Sequence, residues 1–426
     1  MTPSEHDRPK RADSEQLLRD LARETLERYR EINLLYRASE TIGASLDAAE
    51  VPRLLLAETE RVVASDAAAV LLGDSPASDG WQPAAELIER VRLTGRPDIA
   101  TWPPGREGRL QSALCVPVRA GEKVLGVFVL GRKRGRRIFT AGDEKLLLGI
   151  ASMAGVALER ARLHEQETQR LRLEEELAVA RRIQLALLPP GVPVVAGWSF
   201  AATYQAARQV GGDFYDFLPL APDARRLGVV IADVTGKGVP AALMMAYSRA
   251  VVRAESMAGR SPVDVLERTN RLIMQERQTR LFLSAFYADL DLDSGRLVYA
   301  NAGHDAPLWI SADGRDCREL DAHGVILGAF GDIGLEPGEG NLEPGDTVVL
   351  YTDGVTEARN AAAQLFGDER LVNAITQAVA DGNAAQGVLD SVVGAVTAFT
   401  AGADQADDLT IVVVQRSSER VQESER

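Results

Sequence analysis

The sequence predicts an α/β protein of two domains joined by a long helix. Three observations predict it. A chain of 426 residues exceeds what one hydrophobic core usually supports. Short β-rich runs with turn residues alternate with helical segments on both sides of residue 190. Between them "ERARLHEQETQRLRLEEELAVARRIQLALLPP" contains no Gly or Pro until Pro189 and Pro190 end it.

The elements follow in order. After a polar start, residues 14–40 are dense in Leu, Glu and Arg without Gly or Pro, a composition that favours helix. Residues 1–39 are thus a tail and helix preceding a first domain over 40–160. In that domain "SALCVPVRAGEKVLGVFVLGRK" reads as a hairpin turning around Ala120 to Lys123. Thr140 then caps a helix whose first turn carries Asp143 and Glu144. Residues 161–188 form the linker helix. Leu173, Leu177, Ala180 and Leu187 follow a broken 3-4 spacing, with Gln184 where an apolar residue would complete it. That stripe suits a coiled coil with a second copy; a single amphipathic helix lying on its own domain is the other reading. A second domain over 189–416 has β-rich runs and helices near 240–257, 262–277 and 384–400, and 417–426 is a polar tail.

Composition narrows the function. A net charge of -14 argues against a general nucleic-acid binder, because neutralising phosphates needs a basic surface. The cluster Arg132, Lys133, Arg134, Arg136, Arg137 reads as a solvated loop. Two distant cysteines, Cys115 and Cys317, give no disulfide framework and no metal knot, and Cys115 reads as a packed core thiol. The polar N-terminus lacks the apolar core of a signal peptide, and Leu146 to Leu158 is too short to span a bilayer. A cytoplasmic protein without a membrane span is expected.

The chemistry gathers on aspartates. In "VVIADVTGKGVPAALMM" the Gly-Lys-Gly invites a phosphate-loop reading, but the first glycine of that motif and the hydroxyl after Lys237 are both missing. The apolar run "LGVVIADV" meets Asp233 as it leaves a sheet, "DTVVLYTDG" ends in Asp353, and "DDLTIVVVQ" opens with Asp407 and Asp408. If the third strand ran antiparallel beside either of the others, these carboxylates would share one sheet edge. "QVGGDFYDF" adds Asp213 and Asp216 beside a glycine pair that permits a tight bend. Clustered carboxylates repel one another unless a cation holds them ionised. Oxygen ligands with only His6, His164, His304 and His323 in the chain point to magnesium or manganese and away from zinc. Taken singly, each Asp also suits a turn or a cap.

The ordered set "QVGGDFYDF", "VVIADVTGKGVPAALMM", "YANAGHDAPLWI", "VVLYTDGVTEARN", "FGDERL" and "DDLTIVVV" resembles the SpoIIE/RsbU branch of the metal-dependent PP2C-type serine/threonine phosphatases. The likeness covers residues 182–416, including "ARRIQLALLPP". Residues 40–160 resemble a GAF sensory domain, through "VRLTGRP", the hairpin and the helix after "IFTAGDEKLL". The resemblance implies an αββα sandwich of two mainly antiparallel sheets holding two Mn2+ or Mg2+ ions. Asp233 would bridge them with the carbonyl of Val234 on one; Asp353 and Asp407, or Asp408, would complete the other shell. Asp213 would sit on or just behind them. It implies hydrolysis of phosphoserine or phosphothreonine by a water activated between the ions, with no phosphoenzyme.

The wider superfamily often has "DGHG" after the bridging aspartate, where this chain has "DVTG". Leaving-group protonation therefore falls to water or another residue. His304 is open to a catalytic or a structural role, and Lys237 to phosphate or to solvent. The implied partners are a phosphorylated STAS-domain antagonist of an anti-sigma factor, a second copy of the chain through the linker helix and GAF domain, and an unidentified small ligand of the GAF domain. A silent signalling scaffold, or a phosphatase of another substrate, are the alternatives.

Overall fold

The computed structural model describes residues 8–73, 84–103, 110–133, 135–220, 225–275 and 281–418. The chain divides into two compact units, Met1–Leu173 and Glu174–Arg426. No described helix is long and apolar enough to cross a membrane.

The first unit contains α1 (Arg8–Gly43), α2 (Val51–Glu60), β1 (Ala67–Leu72), α3 (Ala85–Thr94), β2 (Asp98–Thr101), β3 (Leu110–Ala120), β4 (Lys123–Lys133) and most of α4 (Ala141–Leu187). Its antiparallel sheet has the order β1-β4-β3-β2. Strand alternation sorts the core into two layers. Leu114, Val116, Phe128 and Leu130 face Ile42, Leu55, Leu147 and Ile150 of the long helices and α2, while Cys115, Val127 and Val129 face Leu87, Ile88 and Val91 of α3. The hairpin turns where expected, with Ala120 opposite Lys123 and Gly121 in the left-handed region at φ 60°. Thr140 and Asp143 cap α4 reciprocally: the Thr140 amide donates to Asp143 Oδ2 at 2.9 Å and the Asp143 amide to Thr140 Oγ1 at 3.4 Å. Cys115 is fully buried, which pushes its thiol up to about 12.

The basic cluster needs correcting at its first member. Arg132 is buried at the end of β4, its guanidinium 4.0 Å from the centre of the Phe139 ring and donating to the carbonyls of Ala64, Arg137 and Ile138. It closes the turn into α4, so it is structural rather than solvated. Lys133, Arg136 and Arg137 are exposed as expected, and Arg134 lies outside the described residues.

The second unit receives the end of α4 and then β5 (Trp198–Gln205), β6 (Phe214–Pro219), β7 (Arg226–Val234), α5 (Val239–Met257), α6 (Pro262–Gln275), β8 (Leu283–Asp291), β9 (Arg296–Ala302), β10 (Leu308–Ile310), β11 (Cys317–Glu319), β12 (Gly338–Asn341), β13 (Thr347–Tyr351), α7 (Asp353–Thr356), α8 (Gly367–Ala380), α9 (Ala385–Thr400) and β14 (Leu409–Arg416). Two five-stranded sheets have the orders β11-β10-β13-β14-β5 and β12-β9-β8-β7-β6, every pair antiparallel. Their inner faces meet through Phe200, Phe217, Ile231, Phe286, Leu350 and Val412. Helices α5 and α6 cover the outer face of one sheet and α8 and α9 that of the other. The result is an αββα sandwich.

The break in the linker stripe has a physical reason. Gln184 is buried, its amide donating to the Gly211 carbonyl at 2.6 Å and accepting from the Gly211 amide at 3.1 Å. The last turn of α4 thus packs on its own domain, with Leu188 in the core beside it, whereas Leu173 is exposed.

Candidate metal centre

The antiparallel pairing of β13 with β14 sets Tyr351 opposite Ile411, so Asp353, just after one strand, and Asp407 and Asp408, just before the other, fall at the same end of the sheet. The facing sheet supplies the rest. Asp233 is the penultimate residue of β7, and Asp213 immediately precedes β6, which pairs Phe214 with Ala232. The carboxylates therefore come from both sheets of the sandwich, not from a single sheet edge as the strand patterns alone suggested.

Asp213 is buried between the sheets. One of its oxygens accepts from the hydroxyls of Thr352 and Thr410, each at 2.7 Å. Its carboxyl also lies within hydrogen-bonding reach of Asp233. Burial and then the charges of Asp233 and Asp408 hold it well above the usual carboxylate range. Burial likewise raises Asp233, with Asp407 and Asp408 adding to the rise, and pushes Asp353 up to about 7, with Asp233 and Asp407 the next causes. These groups oppose one another's ionisation.

The neighbouring aspartates divide their work. Asp408 is buried, with Oδ1 accepting from the Ala207 amide at 2.8 Å and Oδ2 from the Gly212 amide at 2.7 Å. A Cβ on Gly211 would overlap Asp408 Oδ2, so only glycine lets the turn approach this carboxylate. Asp407 remains on the open side, paired with Lys237 Nζ at 2.7 Å, and the same ammonium donates to the Ala406 carbonyl at 2.6 Å. Lys237 thus holds the Asp407 loop. The Val234 carbonyl faces the glycine turn, 2.7 Å from where a Cβ on Gly212 would stand.

Asp216 does not join the cluster. It is buried against helix α5, paired with Arg249 at 2.7 Å and Arg253 at 3.1 Å. One residue along a strand changes face and three do so again, which separates Asp216 from Asp213.

His304 is buried with Nδ1 2.7 Å from Ser284 Oγ and Nε2 3.1 Å from the Tyr351 carbonyl. A carbonyl only accepts, so Nε2 carries the proton and Nδ1 accepts from the serine. Burial lowers the imidazole to about 4, leaving it neutral near pH 7. It is a strut between β8 and β13 rather than an acid.

Three further acids belong to the neighbourhood and were missed. Desolvation raises Asp305, followed by the charges of Asp368, Asp233 and Glu357, and Glu357 also raises Asp353. Glu357 stands four residues after Asp353, one helical turn, a spacing visible in "TDGVTE".

A divalent cation fits this donor set. The acids supply hard oxygen donors, and the mutual opposition of their charges is what a cation relieves. Among the described residues no three His, Cys, Asp or Glu side chains enclose a point tightly enough to hold an ion alone. Magnesium commonly keeps several waters and uses one or two carboxylates, so an open set of this kind suits it.

Comparison with known proteins agrees with this architecture. Residues 223–417 match the family model of stage II sporulation protein E (SpoIIE), and residues 15–159 match that of the GAF domain. The two family models thus follow one another along the chain, a GAF domain and then a SpoIIE domain. The chain is homologous to the phosphoserine phosphatase RsbU of Bacillus subtilis (strain 168), 34% identical over 199 residues that span 46% of this chain and 58% of that protein. The phosphoserine phosphatase RsbP of the same organism is 29% identical over 202 residues, covering 46% of this chain and 49% of that one. The chain spans about half the length of the curated relatives it matches. The PP2C domain of SiaA from Pseudomonas aeruginosa shares the fold at 24% identity and a TM-score of 0.51, over 58% of this chain and 98% of that structure.

Two outcomes follow from the geometry. Removing the Ser284 hydroxyl leaves a buried imidazole nitrogen without a donor, so Ser284→Ala should cost about 1–3 kcal/mol in urea unfolding; a change within roughly 0.5 kcal/mol would mean that the strut carries no load. Asp213, Asp233 and Asp353 are raised, so folding takes up protons between the unfolded carboxyl value and about 7, and cation-free stability should fall as pH rises through that window. Mg2+ or Mn2+ should accordingly raise Tm more at about pH 7.5 than at about pH 5. Melting curves showing no cation effect, or an equal one at both pH values, would contradict the site.

Proposed function

We propose that this chain is a manganese- or magnesium-dependent protein serine/threonine phosphatase whose activity the GAF domain sets. The observation that carries the reading is the convergence of Asp213, Asp233, Asp353 and Asp407 from the ends of both sheets, as oxygen donors whose charges oppose one another. Two cations bound there would supply an activated water and neutralise charge on the phosphoryl oxygens. In this reading Asp233, the Val234 carbonyl, Asp353 and Asp407 would hold the ions. Asp408, whose oxygens are both engaged by backbone amides, positions the glycine turn, which supports Asp407 as the ligand. Asp213, fixed by its two threonines, would support those ligands from within the sandwich.

The remaining groups shape the approach of phosphate. Gly236 and Gly238 adopt φ of 92° and 79°, a backbone region that favours glycine, and so leave the space beside Asp233 free of side chains. Helix α5 begins directly after them, with its first N–H groups unpaired within the helix and Pro240 in the opening turn. The neutral, buried His304 does not donate a proton to the leaving alkoxide, which leaves that proton to solvent or to another group.

The substrate in this reading is a phosphoserine or phosphothreonine on a STAS-domain antagonist of an anti-sigma factor. Two relatives named phosphoserine phosphatases support its phosphoserine part. The proposed organisation is 1–39 tail and helix, 40–160 GAF domain, 161–188 linker helix, 189–416 phosphatase domain and 417–426 tail, in a cytoplasmic homodimer paired through the linker and GAF domain. Exposed Leu173 on that helix supports the pairing.

Phosphate release from a phosphorylated STAS-domain protein with Mn2+ should fall by about 100-fold or more in Asp233→Asn and Asp353→Asn, since even groups behind a metal's direct ligands are worth 10–100-fold. Equal release by the parent and both variants would remove the metal assignment. For the dimer, sedimentation should show Leu173→Glu combined with Leu177→Glu shifting the parent to monomer; an unchanged dimer would place the interface elsewhere.

A further inference from the structure

The second unit holds a cavity of about 640 Å3 that the carboxylate centre does not use. The end of α4 and the segment after it form one wall, with Leu187, Pro190 and Val192, and Phe217 of β6 contributes to another. Against this apolar lining stand Arg249 and Arg253, one helical turn apart on α5. A single carboxylate serves both: Asp216 Oδ2 lies 2.7 Å from Arg249 Nη2 and 3.1 Å from Arg253 Nη1. Arg226 also lines the space, but it is paired with Asp289.

The wall is therefore one positive charge in excess. It is also one acceptor short, because Arg249 Nε is buried without a hydrogen-bond partner in a side chain only 13% exposed. Burial and the neighbouring Arg253 both act against the Arg249 charge, and a second anion would relieve this. A buried unpaired donor on one of two adjacent guanidiniums suits a carboxylate or phosphate, which accept several N–H bonds at once. The size lies in the range of small-molecule sites.

We propose that this cavity binds a small amphipathic anion, with its charged head on Arg249 and Arg253 and its apolar body along the Leu187–Val192 wall. The site lies wholly within the second unit and is distinct from any pocket of the GAF domain. It holds whatever reaction the carboxylate centre performs. The occupant would rest on α5, the helix that begins at Val239 after the Asp233 turn.

Titration calorimetry on the full chain tests this with decanoate, decyl phosphate, decanol and inorganic phosphate as probes. Decanoate or decyl phosphate should bind once per chain, and whichever binds more tightly identifies the head group. Decanol and inorganic phosphate should each bind at least ten-fold more weakly, because each lacks half of the recognised chemistry. Arg253→Glu should weaken binding ten-fold or more, and Arg249→Gln at least as much; should Arg249→Gln fail to fold by circular dichroism, the half-exposed Arg253 variant decides. Absence of binding by both anionic amphiphiles, decanol binding as tightly as decanoate, or binding unchanged in a folded Arg253→Glu would overturn the proposal.

Discussion

Four aspartates brought to one place as anions repel one another, and the second unit is built around that constraint. Its sheets are pinned at the point of greatest repulsion. Asp213 reaches across the sandwich to Thr352 and Thr410, and a few residues away His304 joins Ser284 to the Tyr351 carbonyl. The bonds of Asp213 to the two threonines and of His304 to Tyr351 span from one sheet to the other, so the packing of the inner core and the spacing of the carboxylates are set together. A shift of either sheet would leave buried polar groups unpaired, which is costly.

The same economy governs the loops. Asp408 gives both oxygens to backbone amides and fixes the glycine turn, Gln184 holds that turn from the other side through Gly211, and Lys237 holds Asp407 in place. Residues of ordinary type thereby become specific through their partners. The end of the linker helix is bonded to the backbone two residues before Asp213, so the helix and the centre share the Gly211 turn.

Much of this was legible in the sequence, and the reason differs by level. The hairpin at Ala120 to Lys123 and the Thr140 cap rest on local chemistry, which neighbours far along the chain do not alter. The ends of β7, β13 and β14 were readable because an apolar run stopped by Asp is a local pattern too. The division between Asp407 and Asp408, the diversion of Asp216 to two arginines, and the burial of Arg132 all depend on partners that only the fold supplies. Gln184 looked like a flaw in a coiled-coil stripe because its partner, Gly211, lies 27 residues away. Asp305 escaped notice since its part in the cluster comes from charges on three other segments.

Strand β14 lies between β13 and β5, and its first residues follow Asp407 and Asp408. Among the described residues strand β5 has no other neighbour in its sheet, and the Ala207 amide just after it bonds to a carboxylate 201 residues further on. During synthesis the first unit is complete long before that pairing forms. The second must keep an apolar strand edge unpaired until nearly all of it has left the ribosome, a condition that slows folding and invites association of nascent chains. The carboxylate centre thus needs the stretch that leads into β14, and no truncated product ending before Asp407 carries its full set.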